Sequence, residues 1–197
     1  MKAYYHARAR EYDEWWRGEG LYAPRRRPGW QQARQALEDA IRSLPRARVL
    51  DVACGTGFMT RHLRGEVTGL DQSEAMLEVA REQVPGAEFV QGDALELPFP
   101  DGAFERVFAS YFYCHLEEAE RVRFLAQARR VAAELVIVGS LRRNEIAAAR
   151  WEERTLNDGS KWKVYKRYFR PDELLEELGG GRVVFDYPEV FLMVASP

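Results

Sequence analysis

Between residues 46 and 140 the chain alternates short apolar runs with stretches of helical periodicity, and this alternation constrains the fold more than any other feature. Apolar runs of this length suit buried strands, and the stretches between them suit crossover helices. Strand, helix and strand in succession form right-handed βαβ units, so the strands should lie parallel in a sheet covered on both faces. The predicted strands are Val49 to Ala53, Val67 to Asp71, Phe89 to Gly92, Arg106 to Ser110 and Leu135 to Ser140, with helices over 58–64, 73–83 and 117–131.

Further elements are predicted on both sides of this alternating region. Apolar residues at three- and four-residue spacing predict a helix over 29–44, which Pro45 ends. The turn-rich residues 157–160 predict a hairpin formed by Arg150 to Leu156 and Lys161 to Tyr168. This hairpin interrupts the alternation, so we interpret residues from about 141 to 170 as an insertion.

The last part of the chain predicts how the sheet ends. A helix over Asp172 to Leu178 follows Pro171, and two strands, Val183 to Tyr187 and Val190 to Ala195, are joined too tightly to run parallel. We therefore expect a single-domain α/β protein with a doubly wound, mostly parallel seven-stranded sheet that ends in an antiparallel hairpin. Residues 1–45 form an N-terminal helical segment in this interpretation, and residues 46–197 form the core.

The composition argues against several classes of protein. With 46% hydrophobic and 30% charged residues, the 197-residue chain is typical of one globular domain. Its longest apolar run is far shorter than the roughly 20 residues that span a bilayer, and the first residues lack the apolar stretch of a secretory signal. Cys54 and Cys114 are the only cysteines, which argues against a disulfide framework and favours a cytoplasmic location.

The charge is distributed unevenly along the chain. The net charge is +5 over residues 1–50, −10 over 51–120 and +3 over 121–197. An acidic central region is a poor surface for a polyanion, so nucleic acid is an unlikely partner in this interpretation.

One stretch carries the most chemical information. The predicted strand from Val49 ends in Gly55-Thr56-Gly57, where the absence of side chains lets the backbone approach a ligand at the carboxyl end of a parallel strand. The pattern of an acidic residue, Asp51, followed by this Gly-x-Gly turn resembles the first motif of the class I S-adenosylmethionine-dependent methyltransferases. The resemblance implies a Rossmann-like fold, S-adenosylmethionine (SAM) as cofactor and S-adenosylhomocysteine (SAH) as product.

Three further motifs agree with this resemblance and appear in the expected order. Asp71 ends the second strand, where a carboxylate can accept both ribose hydroxyls. The resemblance assigns adenine recognition to Asp93 and Ala94, and residues 97–104 match the run that leads into the fourth strand. Ser110 and Tyr111 would lie beside the methionine end of the cofactor. The cofactor-binding residues predicted in this way are Tyr12, Asp51, Ala53, Gly55, Gly57, Asp71, Gln72, Met76, Asp93, Ala94, Ser110 and Tyr111.

A nicotinamide-dependent oxidoreductase is an alternative, because dinucleotide-binding folds also use a Gly-x-Gly turn. Two residues argue against it. The third glycine of that fingerprint would fall at Thr60, and the negative charge of Asp51 would repel a pyrophosphate. A module that binds the cofactor without turnover is a second alternative. Metal-dependent relatives place an aspartate where this chain has Ser110, so we expect no metal.

The sequence identifies the methyl acceptor less specifically than the cofactor. A small molecule is the favoured acceptor and an anionic one is a candidate, while RNA or protein is an alternative. His115 is the candidate general base, although methyl transfer by positioning alone needs none. The aromatic-rich residues 1–22 are interpreted as a lid or as an aromatic face packed on the sheet. The basic stretch 161–168 is the predicted specificity region, and the Arg25 to Arg27 run is a weaker candidate for contact with an anion.

Overall fold

Among the described residues, seven strands form one sheet. The computed structural model describes residues 1–25, 29–142, 147–187 and 191–197; Arg26, Arg27 and the Pro188 to Val190 link fall outside these ranges. The strands of this sheet are β1 (Ala47–Val52), β2 (Gly65–Asp71), β3 (Glu88–Gln91), β4 (Phe104–Ser110), β5 (Ala132–Ser140), β8 (Arg182–Tyr187) and β9 (Phe191–Ser196). Their order in the sheet is β3-β2-β1-β4-β5-β9-β8. Two other strands, β6 (Ala149–Thr155) and β7 (Lys161–Arg167), form a separate hairpin.

The strand pairing confirms the predicted doubly wound sheet. Strands β1 to β5 pair in parallel, and β9 pairs antiparallel with both β5 and β8. The chain starts in the middle with β1, proceeds outward to β3 and then returns to β4 on the other side of β1. The strand order therefore reverses between β1 and β4, and the carboxyl ends of these two strands border the crevice where ligands bind in such sheets.

Helices cover both faces of the sheet, as the parallel arrangement requires. On one face, α3 packs with Val136 and Val138; on the other, α5 packs with Leu135 and Ile137. Alternate residues of β5 are thus buried on opposite faces, which explains its continuous apolar run. The helices are α1 (Lys2–Arg8), α2 (Glu14–Arg17), α3 (Trp30–Ser43), α4 (Glu74–Gln83), α5 (Glu118–Val131) and α6 (Pro171–Glu177).

The predicted helix over 58–64 is wrong, since only a single 3₁₀ turn forms there, at Thr60–His62. The Thr60 hydroxyl donates a hydrogen bond to the Asp51 carboxylate at 2.6 Å and so holds this turn against β1. The chain must then enter β2 at Gly65, where an added Cβ would lie 2.0 Å from the Ala47 carbonyl oxygen. The glycine turn and this tight entry leave too few residues for a helix with several turns.

The N-terminal segment packs its aromatic side chains on the sheet. Trp16 is buried and stacks on Phe58 with a centroid distance of 5.4 Å. The Trp30 indole N–H donates a hydrogen bond to the backbone carbonyl of Trp16. The Asp13 carboxylate accepts hydrogen bonds from Thr56 Oγ1 at 2.5 Å and Gln83 Nε2 at 2.7 Å. The segment is therefore fixed to the glycine turn and to α4.

The β6-β7 hairpin also contacts the N-terminal segment. Leu156 and Val164 form a small apolar cluster with Tyr4, and the Asn157 side chain donates hydrogen bonds to the Glu14 carboxylate at 3.0 and 3.1 Å. These contacts join two parts of the chain that are more than 100 residues apart, as the separation of Glu14 and Asn157 shows.

Within the described residues, no helix has the length and apolar character to cross a membrane.

Replacing Trp16 with alanine should reduce the free energy of unfolding by about 3–5 kcal/mol, because a buried aromatic side chain is lost and a cavity remains. Urea unfolding followed by circular dichroism measures this change. Leu21→Ala is the control, since Leu21 is 53% exposed in the same segment. If both variants lose the same small amount, the N-terminal segment is not part of the core.

Candidate active site

A cavity of about 380 Å³ opens at the carboxyl ends of β1, β2 and β4, where the strand order reverses. Its volume lies within the usual range for small-molecule sites. The strand ends contribute Ala53, Asp71 and Ser110, while the N-terminal segment contributes Tyr5 and Tyr12. The position follows from the topology, because the connections after β1 and β4 leave the sheet toward opposite faces.

Asp71 is the central polar group of this cavity. It ends β2 and is 7% exposed. One carboxylate oxygen accepts the Gly55 N–H at 3.0 Å and the other accepts the Ser73 N–H at 2.9 Å. Burial raises the pKa of this carboxyl, and the backbone hydrogen bonds oppose that shift. A carboxylate has about four acceptor positions, so acceptor capacity remains for a diol ligand.

The glycine turn brings backbone to the cavity wall in left-handed conformations. Ala53 has φ +56° and Gly55 has φ +56°, and both line the cavity. Left-handed backbone is strained for alanine. Gly57 also has a positive φ but lies outside the lining, where an added Cβ would be 3.0 Å from Val84 Cγ2. Its absence of a side chain therefore serves the packing against the region that follows α4.

Two predicted cofactor-binding residues lie behind the wall. Asp51 is 2% exposed and bonded to Thr60, and burial raises its pKa to about 7. Met76 belongs to α4 and its side chain is fully buried. Neither residue lines the cavity, so their contact with the cofactor stays a prediction.

The predicted adenine side is formed by the ends of β2 and β3. Gln72, Asp93 and Ala94 line the cavity there, together with Leu70 and Gly92. Asp93 Oδ1 accepts the Leu95 N–H at 2.8 Å, which orders the turn that holds Ala94. An added Cβ at Gly92 would lie 2.8 Å from Leu70 Cδ1. The absence of a side chain at Gly92 therefore lets the Leu70 side chain pack closely against this part of the wall.

The predicted methionine side is formed by the end of β4. Ser110 Oγ is buried and has no hydrogen-bond partner among the described residues. Tyr111 has φ +55° and contacts Trp15, Trp16 and Phe191 through its ring. A buried hydroxyl without a partner and a strained neighbouring backbone are both features of sites that are completed by a ligand.

His115 lines the cavity from a 3₁₀ turn that follows β4. Its Nδ1 lies 2.6 Å from the Tyr165 carbonyl oxygen, so Nδ1 carries a proton and donates it. Nε2 is then the acceptor nitrogen of a neutral ring. Burial and the positive charges of Lys166 and Arg154 lower the pKa of His115 to about 3.

A second cavity of about 40 Å³ adjoins the first. Tyr5, Tyr12, Tyr111 and His115 line both cavities. The basic side chains that line the smaller cavity are Arg8, Arg154 and Lys166. In the described ranges, no cluster of three or more His, Cys, Asp and Glu side chains is arranged to hold a metal ion.

Several of these residues were not singled out by the sequence analysis. Trp162, Val164 and Lys166 alternate on the more buried side of β7, so period-2 alternation is the signal that identifies Lys166. Tyr4 and Arg8 are four residues apart and therefore share one face of α1, so helical spacing is the signal that relates them. The other lining residues outside the predicted set include Met1, Phe112, Leu116, Glu117, Glu120, Trp151 and Tyr165.

Comparisons with known protein families agree with this arrangement. Residues 49–134 match the model of a methyltransferase domain. Demethylmenaquinone methyltransferase of Thermotoga maritima is 36% identical over 103 residues, which cover 50% of this chain and 44% of that protein. The enzyme of the same name from Renibacterium salmoninarum is 37% identical over 101 residues, or 50% and 42% of the two chains. The chain thus spans less than half the length of these curated relatives.

Solved structures match over nearly the whole chain. DhpI in a complex with SAM and HEP is 29% identical, with a TM-score of 0.75, and the match covers 99% of this chain and 95% of DhpI. The PH0226 protein of Pyrococcus horikoshii has a TM-score of 0.63 over 86% of this chain and 91% of its own, and at 20% identity it supports the fold alone. The family model leaves the N-terminal segment and the β6-β7 hairpin, which build part of the cavity walls, outside its match.

Ala53→Gly should stabilise the protein by about 1 kcal/mol. Glycine relieves the strain of left-handed backbone, which costs alanine about 1–2 kcal/mol. It also raises the conformational entropy of the unfolded chain, which offsets about 0.4–1 kcal/mol of that gain. Urea unfolding gives the difference. Ala109→Gly is the control, since Ala109 is buried in the regular strand β4 and its loss should destabilise. Equal destabilisation in both variants would contradict the argument.

The ring of His115 should stay neutral throughout the physiological range. With a pKa of about 3 in the folded protein, its Hε1 resonance should not titrate between pH 5 and 8. Unfolded histidine titrates near 6.5, so His115 should oppose folding progressively as the pH falls from about 6.5 toward 3. Proton NMR tests this, with His115→Gln to assign the resonance. A midpoint near 6.5 would overturn it.

Proposed function

We propose that this chain is a class I SAM-dependent methyltransferase, which transfers a methyl group from SAM to a nucleophilic atom of a small-molecule acceptor. The observation that carries this proposal is the pairing of Asp71 with Gly55 at the edge of the larger cavity, at the point where the strand order reverses. This arrangement offers a carboxylate to a ribose and close backbone to the rest of the cofactor. The relative DhpI was solved with SAM and with SAH.

The described residues fit this cofactor along the whole cavity. Asp71 would accept hydrogen bonds from the ribose hydroxyls, and Ala94 with Asp93 would border the base. Ser110 Oγ, which has no partner among the described residues, would donate a hydrogen bond to the methionine part. Ala53 and Gly55 would let the backbone lie against the ligand. We also keep Tyr12, Gln72 and Tyr111 as contacts, because all three line the cavity.

When bound against Asp71, Ala53 and Gly55, SAM would supply a methyl group on a positively charged sulfur, which an electron pair of the acceptor could take while the C–S bond pair stays with sulfur. The protein aligns the two molecules and excludes water. His115 has a pKa of about 3, so in the free protein it is a weak proton acceptor. We therefore propose that positioning is the main contribution, and that an acceptor O–H or N–H loses its proton to His115 only if bound charge raises this pKa.

We propose that the N-terminal segment acts as a lid over the cofactor while also packing on the sheet. Tyr5 and Tyr12 line the cavity from one side, and Asp13 holds the segment to the glycine turn. The β6-β7 hairpin closes another side through Trp151 and Tyr165. These walls favour a small acceptor over RNA or protein. A cytoplasmic location remains part of the proposal, supported by the free thiols of Cys54 and Cys114.

Asp71→Asn should weaken SAH binding by at least about 100-fold, because charge-assisted hydrogen bonds of about 1.5–3 kcal/mol each are weakened or lost. Isothermal titration calorimetry measures the affinity for SAH, with NAD as the comparison ligand. The matched control is Asp101→Asn, since the Asp101 side chain is 82% exposed and pairs with Arg130 outside the cavity.

Three results would count against the proposal. Unchanged SAH affinity in Asp71→Asn, with the variant folded, would remove the ribose assignment. Binding of NAD in place of SAH by the unmodified protein would favour an oxidoreductase. A protein that binds SAH but methylates none of a panel of small nucleophiles would support a binding module.

A further inference from the structure

The smaller cavity brings three basic side chains from three elements to one place. Arg8 comes from α1, Arg154 from β6 and Lys166 from β7. Arg8 is 7% exposed and Lys166 is 4% exposed. We call this cavity, with these three residues, the cationic pocket. Burial of charge in a small volume is unfavourable unless an opposite charge or good hydrogen-bond acceptors are present.

Arg8 lacks such acceptors in the described part of the chain. Its Nη1 donates a hydrogen bond to the Tyr4 hydroxyl at 3.0 Å. Its Nε and Nη2 are buried without a hydrogen-bond partner among the described residues. The guanidinium carbon lies 4.8 Å from the centroid of the Tyr12 ring, which partly compensates its charge. Two donor nitrogens of a buried guanidinium thus have no acceptor among the described residues.

Lys166 is in a similar state. Its Nζ lies 3.1 Å from Cys114 Sγ and 4.8 Å from the centroid of the Tyr111 ring. No carboxylate of the described residues forms an ion pair with it. An ammonium group has three donors, and a thiol is a weak acceptor, so this hydrogen-bonding capacity is not saturated.

The third cation has a carboxylate, but a shared one. Arg154 pairs with Glu152, which also pairs with Arg150 at 2.8 Å and accepts a hydrogen bond from the Tyr168 hydroxyl at 2.6 Å. Glu152 does not line the cationic pocket. Around the pocket the three cations therefore exceed the nearby negative charge. The lowered pKa of His115, caused after burial by Lys166 and Arg154, agrees with this excess.

We propose that the cationic pocket binds the anionic oxyacid group, a carboxylate or a phosphate-type group, of the methyl acceptor. This inference rests on the proposed function, because it assigns the acceptor class of the same site. A volume of about 40 Å³ holds about three waters, or one small oxyacid group, and is too small for a base or an aromatic ring. An oxyanion satisfies the free donors of Arg8 and Lys166 and balances the charge.

The position of the pocket fits this role. Tyr111 and His115 line both cavities, so the remainder of a molecule anchored by its acid group would extend toward the methionine end of the larger cavity. The acid group fixes the acceptor, and a nucleophilic atom a few bonds away is then held beside the cofactor. Lys166 also gives the basic stretch 161–168 a specific contact residue.

The test uses the 197-residue chain saturated with SAH. Three probes are titrated by calorimetry: inorganic phosphate, acetate, and acetamide as the neutral counterpart of acetate. We expect saturable binding of at least one anion and none of acetamide, and the preference between phosphate and acetate identifies the type of acid group. Anion binding should also move the Hε1 resonance of His115, because it neutralises neighbouring charge.

Variants of the pocket locate the site. Lys166→Met and Arg8→Met should each weaken anion binding by at least about tenfold while the affinity for SAH stays within about twofold. The controls are Lys163→Met on the exposed side of β7 and Arg10→Met beside α1, which should leave anion binding unchanged. The pocket variants should also melt at a higher temperature than the unmodified protein without anion, because an uncompensated buried charge is gone.

The outcomes separate the two proposals. If the unmodified protein does not bind SAH, the proposed function fails. If it binds SAH but binds acetate no better than acetamide and does not bind phosphate, only the cationic pocket fails. Anion binding that survives in both methionine variants would equally overturn the pocket. Should Lys166→Met not fold, Lys166→Gln keeps a polar group and supplies the same comparison.

Discussion

The site depends on one hydrogen-bonded carboxylate at the end of β2. Asp71 accepts the Gly55 and Ser73 amides with separate oxygens, so one side chain joins the glycine turn after β1 to the residue that caps α4. Without this carboxylate the two turns would lose their common acceptor, and the edge of the larger cavity would lose both its shape and its charge.

The second requirement is that the N-terminal segment and the β6-β7 hairpin, which line the larger cavity, are held to this edge. Asp13 bonds Thr56 of the glycine turn and Gln83 of α4, while Asn157 joins the hairpin to Glu14 of the N-terminal segment. These two parts are thus connected to the rest of the protein through polar contacts, and the N-terminal segment is connected to the core through Trp16. Polar contacts of this kind open at lower free energy than a packed core, which suits a segment that must admit a ligand.

The sequence was sufficient for the sheet because burial on both faces leaves a direct trace in it. The continuous apolar run of β5 and the strand-end position of Asp71 follow from local pattern alone. The helix over 58–64 was mispredicted because the tertiary hydrogen bond from Thr60 to Asp51 and the tight entry at Gly65 decide that connection. Arg8 and Lys166 were not foreseen as buried, since charged residues are rarely buried and only the pairing of α1 with the hairpin encloses them.

Backbone strain outside the glycines, and part of the unsatisfied polarity of the described residues, lie at the two adjoining cavities. Ala53 and Tyr111 are the only described residues other than glycine with positive φ, and Ser110, Arg8 and Lys166 lie between or beside them. The proposed ligands have complementary charges, because the sulfonium of SAM is positive and the acid group of the acceptor is negative. A bound anion would screen the sulfonium from Lys166 and Arg154, so each ligand would favour binding of the other by the same free energy. After methyl transfer the sulfur is neutral, and this mutual attraction between the products is lost.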